Sequence, residues 1–71
     1  MTRLTFTRRA LHDERAWALA RGYTLEGHRL ETHTQEVTIE FAEDLEQAER
    51  DDLAAAAQAE LGADSVDVAA I

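Results

Sequence analysis

Gln35-Glu36-Val37-Thr38-Ile39-Glu40-Phe41 alternates apolar and polar side chains, with Val37, Ile39 and Phe41 on one side and Glu36, Thr38 and Glu40 on the other. Period 2 with β-branched and aromatic residues marks a half-buried β-strand. Ala42-Glu43-Asp44 leads from it into an alanine-rich segment that reads as a helix from about Asp44 to Leu61. Asp44 is placed to cap that helix, with Gln47 three residues on in the capping-box position. Glu46 and Glu49 favour the positive end of its dipole. Leu45, Leu53, Ala56, Ala57 and Leu61 supply the apolar face, and Gly62 is the stop signal. After the link Ala63-Asp64, the run Ser65 to Ile71 reads as a second strand with Val66, Val68 and Ala70 facing inward.

Working back toward the start, Arg3 to Thr7 reads as a first strand with Leu4 and Phe6 on one face and Thr5 and Thr7 on the other. Thr7 can cap a first helix from about Arg8 to Arg21 that ends at Gly22. On a helical wheel Leu11, Ala18 and Leu19 share a face, flanked by Ala10 and Trp17, and the stem of Arg15 lies near that stripe. Trp17 offers the largest single burial in the chain. It is expected as a core-edge anchor, with an exposed interface hot spot as the alternative. Residues 24–31 read as an edge strand. Leu25 and Leu30 would face opposite sides of a regular strand, so a bulge at Gly27 is needed to bring both to one face. Thr32-His33-Thr34 then turns into the Val37 strand.

The order is β-α-β-β-α-β, which predicts a single α+β domain over residues 1–71 of the split-βαβ (ferredoxin-like) kind. Strands one and three would be central, strands two and four at the edges. Both helices would cover one face, leaving Thr5, Thr7, Thr38 and Glu40 on the other. The rival is a β-β-α-β sheet with helix one packed separately.

Seventy-one residues hold one small core, and a chain of this size buries a modest share of its surface. With no Cys, disulfides and thiolate metal sites are excluded. A protein partner or homo-oligomer is therefore expected to support the fold. The formal net charge is -8, from 15 acidic and 7 basic residues. All the basic residues are Arg. This composition fits high-salt adaptation or a GC-rich coding sequence. It argues against nucleic acid, whose phosphates call for clustered Lys and Arg. No apolar run approaches the roughly 20 residues that span a bilayer, and no signal-peptide core follows Met1. The expected location is the cytoplasm, or an assembly formed there.

Chemistry-bearing residues are sparse. Glu26, His28, Glu31 and His33 lie within eight residues and form the weak candidate set for a metal, since imidazole and carboxylate suit zinc, nickel or copper. His12-Asp13-Glu14 looks like a base cluster, but adjacent helical residues point about 100° apart. No Lys or Cys is present, Ser65 has no neighbouring base, and the three glycines are isolated. These features predict no enzyme and no cofactor. The acidic series Glu43, Asp44, Glu46, Glu49, Asp51, Asp52 spreads around its helix as solvated surface rather than a phosphate-mimicking stripe. The final strand, with Val66, Asp67, Val68 and Ile71, is the segment suited to pair with another chain by strand addition. The expected function is a small acidic non-enzymatic interaction or assembly module, a subunit of something larger, for example a structural or accessory protein of a virus particle or a small regulatory subunit. A metal- or small-ligand-binding hairpin at His28/His33 is the alternative.

Overall fold

Six elements follow one another in the computed structural model, which describes residues 1–71: β1 (Thr2–Thr7), α1 (Glu14–Ala20), β2 (Leu25–Glu31), β3 (Glu36–Phe41), α2 (Gln47–Leu61) and β4 (Asp64–Ala70). The strands form one antiparallel sheet in the order β2-β3-β1-β4, so β1 and β3 are central. With two helices this makes a small α+β domain. Its radius of gyration, 10.9 Å, matches the ~11 Å of a compact chain of this length.

The alternation seen in the sequence sets the core. Leu4 and Phe6 of β1 and Val37, Ile39 and Phe41 of β3 are buried together with Ala18 of α1 and Leu53, Ala57 and Leu61 of α2. One cluster thus draws from both helices and one face of the sheet. The opposite face carries Arg3, Thr5, Thr7, Glu36, Thr38 and Glu40. Burying such a cluster stabilises by ~25 cal/mol per Å² of apolar area. Tyr23 extends it, its ring centroid 4.8 Å from that of Phe41.

The expected bulge is present. Leu25 pairs with Phe41 and Gly27 with Glu40, so Glu26 is the extra residue. Beyond the bulge His28 and Leu30 oppose Ile39 and Val37, and Leu25 and Leu30 both pack against the core. A second irregularity lies in β4, where Thr5 pairs with Asp67 but Thr7 with Asp64. Ser65 there adopts a left-handed backbone, φ 51°.

Both helices start later than expected. The first begins at Glu14, not Arg8, because Asp13 is the cap: its Oδ1 accepts from the Ala16 N–H at 3.0 Å. Asp is a stronger N-cap than Thr7, and residues 8–13 form a loop instead. Leu11 consequently lies outside the helix and is 87% exposed, and Leu19 is exposed as well. The inward line of α1 is Glu14 and Ala18, with Trp17 partly buried beside them.

The second helix begins at Gln47 with Glu46 as its cap, not Asp44. The Glu46 N–H donates to Glu49 Oε1 at 3.2 Å. Asp44 is ion-paired with the Met1 ammonium. Leu45, one residue short of the cap, is buried in the core. Gly62 ends the helix as expected, at φ 59°, a left-handed conformation that glycine adopts without a Cβ penalty. The last strand is shifted one residue from the expected Ser65–Ile71; Ala70, opposite buried Thr2, shares the inward face with Val68 as expected but is exposed at the strand end.

Candidate interaction surface

The polar groups of the sheet's two edges follow from the hydrogen-bond alternation of antiparallel strands. The Arg8 N–H donates to Gln35 O at 2.7 Å and the Ile71 N–H to Met1 O at 3.0 Å. Stepping by two along the observed registers, Arg3 and Thr5 bond to Ala69 and Asp67, while Thr2, Leu4 and Phe6 bond to β3. The backbone N–H and C=O groups of Val68 and Ala70 therefore point out of the sheet along the free edge of β4. By the same step His28 and Leu30 point outward from β2.

These two edges differ in chemistry. Beside the β2 edge stand Glu26, His28, Arg29 and Glu31 and the bulge, features that resist strand addition. The outer part of β4 carries Val66, Asp67, Val68, Ala69 and Ala70, with one charge. Val66 and Val68 pack partly against the core, and Ile71 just beyond is 50% exposed.

Trp17 sits at the core edge. Its Nε1–H donates to Glu60 Oε1 at 3.3 Å, and the Arg21 guanidinium carbon lies 5.4 Å from the ring centroid. Arg21 Nη1 also donates to Glu60 Oε2 at 3.4 Å. Trp17 thereby ties α1 to α2, with a cation–π contact on the remaining ring surface.

The metal candidates do not assemble. His28 shares the helix-side face with Leu30, whereas Arg29 and Glu31 lie on the open face and pair with each other. His33 is in the turn, with Nε2 3.9 Å from Glu31 Oε2, and Glu26 occupies the bulge. No group of three or more His, Asp or Glu side chains is arranged to hold a metal ion.

Of the three hollows that border this region, two are the larger. One, of about 350 Å³, lies over Arg3, Thr5, Arg29, Glu36, Thr38 and Glu40 of the open face and reaches His28 on the edge strand β2. The other, of about 410 Å³, lies between the 8–13 loop and β2 and is lined by Arg8, Leu11, His12, Asp13, Glu14 and His28. Arg3 and Glu40 face each other at 3.7 Å. Every buried side-chain nitrogen and oxygen has a hydrogen-bond partner, so no buried polar group is left aimed into either hollow.

Sequence reasoning missed the buried polar contacts. Glu14 is 2% exposed and bound by Arg8. Glu14 lies four residues before inward-facing Ala18, and that spacing was the one available signal. Thr2 is fully buried, its hydroxyl donating to Glu43 O at 2.8 Å and accepting from the Leu45 N–H at 3.2 Å. Glu43 Oε1 in turn accepts from the Thr24 N–H at 2.8 Å, which holds its carboxyl below the usual carboxylate range. No helix is long and apolar enough to cross a membrane. Comparisons of the chain with protein-family models, with curated proteins and with solved structures return no match.

Proposed function

We propose that this chain is a non-enzymatic protein–protein interaction or assembly module, acting as a subunit of a larger complex such as a particle or a regulatory assembly. The observation that carries this is the free edge of β4: outward backbone groups at Val68 and Ala70 within residues 66–70, a mostly apolar run whose one charge is Asp67. A strand edge of this kind recognises a partner through main-chain hydrogen bonds. A sheet order of β4-β1-β3-β2, with both helices contributing to one core, supports reading the domain as a split-βαβ, ferredoxin-like plait. In such a plait the edge strands are the natural points of extension.

Size-exclusion chromatography with light scattering across a salt series tests the assignment. A defined oligomer is expected at moderate and high salt, where the repulsion between acidic copies is screened. A monomer at every salt and protein concentration overturns it.

A further inference from the structure

We propose that the partner on the β4 edge is a second copy of this chain, paired antiparallel with β4 about a two-fold axis through Val68. The proposal rests on the interaction reading above and names its occupant.

A symmetric pair needs a self-complementary patch, and with a net charge of -8 most surfaces of this chain repel their own copy. The β4 flank is the exception. Glu60 of α2 faces α1 through Trp17 and Arg21, and α2 packs over β4. At 100° per residue, the flank of α2 away from α1 carries Gln47, Arg50, Asp51, Ala54 and Gln58. Its two charges cancel, and Gln47 bridges them, donating to Asp51 Oδ1 at 2.8 Å and accepting from Arg50 Nη2 at 2.9 Å. Two copies can therefore approach along β4 without opposing like charges on their helices.

Charge also selects the register. Outward groups lie on even-numbered residues, so the pairings that align them centre on Asp67, Val68 or Ala69. Centring on Asp67 sets two carboxylates directly opposite, which is destabilising. Centring on Ala69 uses Ile71, which lies beyond the strand. Centring on Val68 keeps residues 66–70 of both copies in strand, sets Val68 on Val68 and Val66 on Ala70, and places Asp67 opposite the partner's Ala69.

Alanine 69 provides the test. Within one chain it faces Arg3, so Ala69→Glu gains an attraction in the monomer and Ala69→Lys gains a repulsion. Across the two-fold both signs reverse, because the neighbour is Asp67. Sedimentation equilibrium on the full chain should show Ala69→Glu weakening dimerisation on the order of tenfold and Ala69→Lys strengthening it, while thermal melting of dilute monomer moves the other way. Ala70→Pro removes an outward N–H and leaves the β1 ladder intact, so it should abolish the dimer and keep the fold. Equal weakening by both Ala69 variants overturns the Val68-centred register. A dimer that survives Ala70→Pro overturns pairing at β4 while leaving the assembly reading standing. A monomer under all conditions overturns both.

Discussion

Arg8 holds Glu14 through two hydrogen bonds, Nε to Oε2 at 3.0 Å and Nη2 to Oε1 at 2.7 Å, with the Glu14 side chain 1% exposed and that of Arg8 11%. The same guanidinium donates to His12 O at 3.2 Å. A bidentate pair of this kind fixes orientation as well as charge. Here it fastens the 8–13 loop to the first turn of α1, and the hydrogen bond with the carboxylate raises the Arg8 pKa above its ordinary value. Removing one member leaves the other buried and uncompensated. Arg8→Ala should cost about 3–5 kcal/mol, whereas Arg8→Met with Glu14→Leu should recover most of that loss, because two apolar groups carry no desolvation penalty. Urea denaturation of the single and double variants measures both.

Thr2 joins β1 to the segment between β3 and α2. Its hydroxyl serves the Glu43 carbonyl and the Leu45 N–H at once, so Thr2→Val keeps the shape and strands both backbone groups in a buried place. The expected loss is about 1–3 kcal/mol, read as a lower urea midpoint with an unchanged slope. Thr2→Ser, which keeps the hydroxyl, should lose less.

These two contacts mark where the sequence ceased to be legible. Val37, Ile39 and Phe41 declared themselves by alternation, Leu25 and Leu30 by demanding a bulge, and Gly62 by ending a helix; each is a local pattern with a local cause. The central and edge positions of the strands followed from element order. Arg8–Glu14 and Thr2–Leu45 join residues through geometry that exists only once the loop and sheet are in place; the spacing of Glu14 from Ala18 hints at burial but names no partner. The late start of α1 has the same origin. Thr7 and Asp13 are both acceptable caps, and tertiary contacts at Arg8 and Glu14 favour the second. At the candidate surface Val66, Asp67 and Val68 were legible as part of a final strand, whereas Ile71 lies just beyond it, and which residues turn their backbone groups outward required the register.

The hydrogen-bonded Glu43 carboxylate makes one contribution to stability that acid removes. Its pKa is lowered chiefly by the Thr24 N–H, and that of Asp44 by the Met1 ammonium. A folded-state pKa below the unfolded value adds stability that is complete above the unfolded value of about 4.5. It is lost as pH falls through the lower folded value. Melting temperature should therefore drop as the pH falls below the usual carboxylate range, and Glu43→Ala should melt lower at neutral pH with a shallower acid decline. Thermal melts monitored by circular dichroism across that window provide the check.

Salt should stabilise this fold. Fifteen acidic residues against seven basic ones leave like charges facing each other even inside the sheet, where Glu31 stands directly opposite Glu36 at the end of the β2–β3 hairpin. Such pairs are destabilising by a few tenths of a kcal/mol to about 1 kcal/mol, and the excess charge on so small a surface adds to them. The attractive contacts most exposed to screening are surface pairs such as Arg9–Asp64, each worth about 0–1 kcal/mol. The Arg8–Glu14 pair, with Glu14 buried and Arg8 half-buried, is screened much less. At 1 M salt the Debye length is ~3 Å, so the net repulsion falls away while the core and the buried pair remain. The melting temperature should rise steadily from low to molar salt, and Glu36→Gln should melt higher than the parent at low salt, with that advantage shrinking as salt is added. Flat melting curves across the series would mean that the acidic surface imposes no folding cost.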